Sequence, residues 1–509
     1  MQPFNLETLQ TYAAANRWEL ILPELCLGVL ALALLILDLL LPAHKRRLVG
    51  QAALLGQGAI LVMTLAFSRV GGDLTESVVF NGLLQQTFMS EVMRVFFLIA
   101  GMIVTHLGMI HTAQRNQPTT EYVHLVTVAT AGLMLLAQAH HFVLLFMALE
   151  TVTVSFYVLV AYQRRRVASL EAGLKYLVLG ALSSGLLLFG IMLLYAAGGS
   201  PGLPMSSGDP MEFGALGAFI TANPDLFIVR AGALLVLAGV LFKIGTVPFQ
   251  IWIPDVYQGA PTPVTAFLAV ASKAGGVVVL LNLVLGPFSD LAPMLVPLLS
   301  AVAVVTILFG NLAALSQRKV KRLLGLSGVA HAGYLLIGVI AAITIGREAA
   351  LGVIFYLSVY LLASFAVMYV VTLIAPDNDA DADLGDYAEL LRERPFLGTV
   401  LTIGLGSLAG IPPLAGFIGK LVVFYYAFVA ELYVLLGVAA IGVVISIYYY
   451  FGWILAAAGG TWRLPVADAG ASPARVWPEV SLGARLTMGI LTALTLLLGF
   501  HQGLLSFLL

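Results

Sequence analysis

Charge is what this sequence has least of. Only 10% of its 509 residues are Asp, Glu, Lys or Arg, where soluble domains carry about 25%. So few cannot build a water-facing surface, and a soluble globular protein is excluded. A net charge of −1 leaves no basic surface for nucleic acid. The single cysteine, Cys26, excludes an internal disulfide and any cysteine-held zinc or iron–sulfur site. No apolar run alternates with a period of two, which excludes the strands of a transmembrane barrel. The opening residues, MQPFNLETLQTYAAANRWEL, lack the basic stretch and cleavage site of a signal peptide, so the first apolar run is expected to stay. There is no glycine loop with lysine for a phosphate and no HExxH metal pair. A nucleotide, metal or flavin on this chain is not expected.

What is there is hydrophobic. Apolar residues make up 60% of the chain, and the mean hydropathy is +1.00. Apolar segments run over 19–41, 48–68, 90–111, 122–139, 140–162, 169–197, 226–254, 261–286, 292–316, 320–345, 349–374, 396–428, 431–456 and 481–507. Each is long enough for a helical span of about 20 residues. The expected fold is an all-α polytopic membrane protein of about fourteen transmembrane helices.

Basic clusters set the orientation. Lys45-Arg46-Arg47, Arg164-Arg165-Arg166, Arg318-Lys319 with Lys321-Arg322, and Arg392 with Arg394 follow spans one, five, nine and eleven. With fourteen spans all four lie on one side, which the positive-inside rule makes the cytoplasm of an inner (plasma) membrane. Both termini then lie outside. Residues 198–225 hold no lysine or arginine and are expected to be an outer loop with a short surface helix; 376–395 form an acidic inner loop with a helical turn at YAELLRER. Both read as solvated connectors.

The chain has only seven lysines, and four of them, Lys175, Lys243, Lys273 and Lys420, fall inside apolar segments. Each costs about 2.5–3.5 kcal/mol at a helix centre, so the four together oppose insertion by roughly 10–14 kcal/mol unless paired or hydrated. Glu150 sits mid-span in the fifth segment and needs a cation or a water-filled cavity. Along the chain its nearest candidate partner is Lys175, in the next span; Lys175 is the shallowest of the four, and the plainer alternative for it is a snorkelling lysine. Lys243 precedes Pro248 by five residues, and Lys420 follows Pro412 and Pro413 in a glycine-rich span. Proline frees a backbone carbonyl, and freed carbonyls at membrane depth are tolerated where they line a cavity. A kinked helix with a buried ion pair is the plainer alternative. Lys273 lies mid-span among small residues that allow close helix contact. His331 lies mid-span in the tenth segment, either a titrating group or a packed hydrogen-bonding one.

The two interrupted helices, seven and twelve, are five spans apart. Interruptions at corresponding places point to an inverted repeat with a pathway at the midplane. The expected units are an N-terminal group of three spans (1–115), a first five-helix repeat (122–286), a second (292–456), and a loop with the last span (457–509). Burial disfavours a charged lysine and a nearby carboxylate favours it again, so such groups can pass a proton when a neighbour shifts. The expected relay runs from the Glu150–Lys243 contact to Lys273, then to His331 and Lys420.

Four stretches carry a family resemblance. They are GLKYLVLGALSSGLLLFG (173–190), FKIGTVPFQIWIPDVYQGAPTPVTAFLAVASKAGG (242–276), HAGYLL (331–336) and GIPPLAGFIGK (410–420). In this order they resemble the antiporter-like subunits of respiratory complex I, the proton-translocating NADH–quinone oxidoreductase, most closely the N subunits (subunit 2 of mitochondria and chloroplasts). The likeness spans nearly the whole chain, more loosely over the first three spans. It implies that Glu150 is the carboxylate of the fifth helix, Lys243 its partner, Lys273 the connecting lysine and Lys420 the outer lysine. A lysine at 420 separates this chain from the L and M subunits, which usually carry an acid there. Gln250 departs from the many members with histidine at that place. The resemblance implies no redox centre here: NADH, FMN, iron–sulfur clusters and quinone belong to partner membrane and peripheral subunits. Other readings are a subunit of a multi-subunit cation/proton antiporter, a photosynthetic relative using ferredoxin and plastoquinone, or a structural scaffold.

Overall fold

The computed structural model describes residues 16–42, 45–67, 77–206, 208–375, 378–460, 477 and 479–501. The reading of the first fifteen residues and of the end of the last apolar segment, beyond 501, lies outside the described residues. Among the described residues thirteen helices are long and apolar enough to cross a membrane, from Trp18–Leu40 to Leu482–Phe500. The remaining span is made of two shorter apolar helices, Pro395–Ala409 and Ala415–Val429. Spans are numbered here in chain order, one to fourteen, with this broken pair as the twelfth.

The connections sort onto two faces as the span count requires. On one face Asp38, ending span one, accepts from Thr120 Oγ1, opening span four (Thr120–Gln138), at 2.8 Å. The basic clusters lie on this face. On the other, Leu84 of a two-stranded pair (Ser77–Val79 with Leu84–Gln86) bridges to Ala139, and His141 bridges to Glu212. Glu212 caps the short helix Phe213–Ala222 by accepting from Gly214 N at 2.9 Å and Ala215 N at 2.6 Å. This is the surface helix expected in the 198–225 loop. Glu212 also pairs with His140 Nε2 at 2.9 Å. Burial outweighs that carboxylate and draws the His140 imidazole below its ordinary range.

Spans eight (Thr262–Leu285), ten (Val320–Ile345) and eleven (Arg347–Ile374) are buried over most of their length, whereas spans six (Val167–Gly198), nine (Ser289–Leu315), thirteen (Tyr433–Ala457) and fourteen show an apolar face outward. Polar groups on the central three are therefore shielded from lipid.

Spans seven and twelve break in the same way. Helix Phe227–Ile244 ends at Gly245, with φ +82°, and helix Pro395–Ala409 at Gly410, with φ +84°. Glycine has no Cβ to clash in this left-handed conformation. The Gly245 and Gly410 amides reach back to Leu241 O at 2.9 Å and Gly406 O at 3.1 Å, and Thr246 N and Ile411 N bond the same two carbonyls at 3.2 and 3.0 Å. A cis Val247–Pro248 or Pro412–Pro413 peptide follows each turn. Span seven resumes at Phe249–Trp252 and Ile253–Gly259, span twelve at Ala415–Val429. Span eight carries one wide π turn, Leu268–Ser272, directly before Lys273.

One connector departs from its sequence reading. The 376–395 loop contains the expected helical turn, Leu390–Glu393, but is not solvated throughout. The Asp379 side chain is 1% exposed, enclosed by His111, Arg166, Thr262 and Lys321. Four donors from separate elements supply what water would, so burying the carboxylate is tolerable.

Candidate functional site

The lysines at the two breaks meet neutral oxygens. Lys243 is the next-to-last residue of its half-helix, 7% exposed. Its Nζ donates to Thr153 Oγ1 of span five (Phe142–Val160) at 2.5 Å and lies 5.9 Å from the centre of the Tyr176 ring. Thr153 is three residues on from Glu150, so the two share a helix face. Glu150 itself is half-buried and accepts from Ser184 Oγ of span six at 2.5 Å. Thr153 thus ties Lys243 to the helix that carries Glu150.

Lys175 does not reach Glu150. Its Nζ pairs with Glu171 and Asp255, both at 2.7 Å, and its side chain is 42% exposed. Asp255 also accepts from Arg322 NH1 at 2.6 Å. The reason is helix length. Span six has 32 residues, about 48 Å at 1.5 Å per residue, against a hydrocarbon core of about 30 Å. Ser184, nine residues and about 14 Å beyond Lys175 along this helix, is the one that lies level with Glu150.

A second group lies deeper. Lys273 Nζ, 2% exposed by residue, donates to Gly328 O of span ten at 2.5 Å and sits 5.2 Å from the Tyr360 ring centre. The Tyr360 ring is 4.9 Å from that of His331. His331 Nδ1 contacts Tyr356 Oη at 2.6 Å, and its Nε2 lies 3.4 Å from Tyr450 Oη. The Tyr334 ring stands 6.0 Å from His331 and 5.3 Å from Lys420 Nζ. Lys420 closes the file from the second half of span twelve by donating to Leu408 O and Ala409 O, each at 2.9 Å. Those are the last carbonyls of the first half, left without helical partners by the break.

The two groups touch through span eight. Gly276, one turn on from Lys273, lies against the end of the first half of span seven. A Cβ there would fall 3.3 Å from Lys243 Cβ and 2.9 Å from Ile244 Cγ1. Lys273, His331 and Lys420 thus form one file, Lys243 sits on a segment packed against span eight, Glu150 lies one turn from Thr153, and Lys175 stands at the rim. Gln250 is 7% exposed, and its Oε1 has no hydrogen-bond partner among the described residues.

Sequence reasoning missed Thr153, Ser184 and the tyrosines. A signal existed for some: Tyr334 follows His331 by three residues, and Tyr356 and Tyr360 are four apart, so each pair shares a helix face. Thr153 carried only its spacing from Glu150.

A polytopic bundle with lysines, a histidine and tyrosines filed through its buried middle defines the class, an antiporter-like membrane subunit. The chain belongs to the NADH:quinone oxidoreductase/Mrp antiporter transmembrane family, whose model matches residues 139–446. It is 52% identical over 499 residues to NADH-quinone oxidoreductase subunit N 1 of Opitutus terrae, covering 98% of each chain. It is 34% identical over 487 residues to the subunit N of Desulforamulus reducens, covering 96% of each. Among solved structures it resembles a chain of respiratory complex I from Thermus thermophilus, with TM-score 0.77, 30% identity, and 95% and 98% of the two chains covered. A chain of the Mrp complex from Dietzia shares the fold, with TM-score 0.80 at 20% identity and 96% of each chain covered.

Proposed function

We propose that this chain is a membrane-arm subunit of an NADH–quinone oxidoreductase of complex I type, coupling electron transfer on other subunits to proton translocation. The observation that carries the reading is the file Lys273–Tyr360–His331–Tyr334–Lys420, joined to Lys243 where Gly276 packs. The 52% identity to a subunit N over nearly the full length supports the electron-transfer partnership.

In this reading Glu150, Lys243, Lys273, His331 and Lys420 carry protons, and Lys175 helps admit them at the basic face. Thr153 Oγ1, Gly328 O and the Leu408 and Ala409 carbonyls accept hydrogen bonds from the ammonium forms without themselves ionising. Each lysine can therefore give up its proton without stranding a buried carboxylate. The Tyr176, Tyr360 and Tyr334 ring faces stabilise each cation further, by about 0.5–2 kcal/mol. His331, with one ring nitrogen against Tyr356 and the other near Tyr450, can receive at one side and release at the other. Pro248, Pro412 and Pro413 keep the helices open where the lysines need acceptors.

NADH, FMN, iron–sulfur clusters and quinone are assigned to partner subunits, and the chain to the cell membrane with both termini outside. The alike breaks at Gly245 and Gly410 support two five-helix units of opposite orientation, over 122–286 and 292–456. The test is purification of the tagged chain from gently solubilised membranes, followed by reconstitution. NADH–quinone reductase activity in the recovered assembly, with acidification of proteoliposomes abolished by Lys243→Met, is the expected result. Intact acidification in that variant overturns the relay, and sodium-dependent proton flux without redox activity overturns the assignment.

A further inference from the structure

The Asp379 cluster on the basic face is not used by the proposed relay, yet it holds the ends of the helices that carry it. Asp379 Oδ2 accepts from both Thr262 N and Thr262 Oγ1 at 2.9 Å. Thr262 is the first residue of span eight, the span of Lys273. Lys321, near the start of span ten, places Nζ 3.5 Å from the same oxygen and donates to Ala260 O at 2.7 Å. His111 Nε2, from the end of span three (Phe88–Gln114), contacts Asp379 Oδ2 at 3.3 Å. Arg166, just before span six, meets Asp379 Oδ1 at 3.5 Å and Asn378 Oδ1 at 3.2 Å. The neighbouring backbone is pinned too. Gln258 of span seven donates to Ala380 O at 3.1 Å, and Val320 N bonds Ala382 O at 3.0 Å.

Burial by itself would raise the Asp379 carboxyl, but the Lys321 cation, the His111 hydrogen bond and Arg115 overcome it and hold the group well below the usual carboxylate range. The clamp is thus a fixed anion ringed by donors from four helix ends. Its geometry bears on the path. Asp379 joins the first turn of span eight to the first turn of span ten. Further along the same two spans, Lys273 meets Gly328 O, the contact that seats the lysine under Tyr360. Between Thr262 and Lys273 lies the π turn, where regular helical hydrogen bonding is interrupted and the span is easiest to twist. A fixed base is what keeps a helix with such a turn in register.

We propose that Asp379 is a positioning residue for proton transfer: by fixing the base of span eight to span ten, it sets where Lys273 stands relative to Gly328 and Lys243. The proposal rests on the proton path described above. Asp379 touches no lysine of that path and carries no proton itself. A clamp that served stability alone would alter how much enzyme assembles. A positioning clamp alters how many protons each assembled enzyme moves per NADH.

The test uses the whole purified enzyme in proteoliposomes, with NADH oxidation and acidification measured together and scaled to the chain present. Asp379→Asn is expected to lower the protons moved per NADH at least twofold, while uncoupled NADH–quinone turnover stays within twofold of wild type. Asp379→Glu, which keeps the charge, is expected to recover more than half of that loss. Thr262→Val removes one donor without changing shape and should give a smaller drop in the same direction; it decides the matter if Asp379→Asn does not assemble. An unchanged ratio in assembled Asp379→Asn or Thr262→Val enzyme overturns the proposal, as does a loss confined to assembly. Lys243→Met serves as the parallel control. If that variant pumps normally, it is the path that fails.

Discussion

Replacing Thr153 by valine isolates the hydrogen bond that Lys243 makes at the break of span seven. The two side chains have nearly the same shape, so no cavity opens. The hydroxyl receives the ammonium at 2.5 Å while donating its own proton to Leu149 O at 2.6 Å. Its lone pairs are thereby turned toward Lys243. A hydrogen bond to a charged group contributes about 1.5–3 kcal/mol. At 1.4 kcal/mol per decade, its loss should slow any step that loads Lys243 roughly tenfold to a hundredfold. Redox-driven acidification by proteoliposomes is the assay, with uncoupled NADH oxidation followed alongside. Thr495→Val is the matched control, since Thr495 is equally buried and bonds Leu491 O at 2.8 Å but faces no lysine of the path. Wild-type acidification by Thr153→Val, or an equal loss in the control, would refute the argument.

Three further outcomes follow from the geometry. Gly410→Ala forces a Cβ into φ +84° and to within 3.1 Å of Lys420 Nζ; it should cost about 1–2 kcal/mol and reduce pumping, read as a lower melting midpoint and slower acidification. Arg94→Met strands Glu24 and Glu91, which Arg94 Nε and NH1 hold at 2.7 and 2.9 Å in a site where all three side chains are at most 6% exposed; a loss of about 3–5 kcal/mol should nearly empty the membrane of assembled chain, measured by immunoblot. Asp379 has a depressed folded-state carboxyl, so its contribution is fully present above the unfolded value of about 3.9 and is lost only as pH falls through the lower folded one; the melting difference between wild type and Asp379→Asn should stay constant from about pH 8 to about pH 5, and a steady shrinkage over that range would contradict the assignment.

The spans and their breaks were legible because lipid imposes a coarse rule. Twenty apolar residues make a helix, and proline with glycine interrupts it. The lysines were legible by rarity, since a membrane chain with seven of them has little reason to place Lys243, Lys273 and Lys420 in apolar runs. What lay beyond reading was who meets whom. Thr153 is one of many threonines, and nothing local marks it as an acceptor. Lys175 and Glu150 looked like neighbours because a hairpin joins their helices, yet Ser184, nine residues past Lys175, is the one that meets Glu150. Asp379 sits in a run of acids that resembles any solvated loop. Its burial depends on His111, Arg166, Thr262 and Lys321, which come from four distant places in the chain.

The broken helices also change the electrostatics of the lysines they hold. A helix concentrates roughly half a negative charge at its carbonyl end, and the break at Gly410 leaves that end against Lys420 Nζ. As the lysine gains and loses a proton, the local sum moves between about plus one half and minus one half, rather than between one and zero. The self-energy of a charge in a medium of low polarisability grows as its square. Neither state then carries a full unpaired charge, and the charged form costs less than an isolated cation would. A bound carboxylate would balance only the charged form. A peptide dipole, which never titrates, serves both.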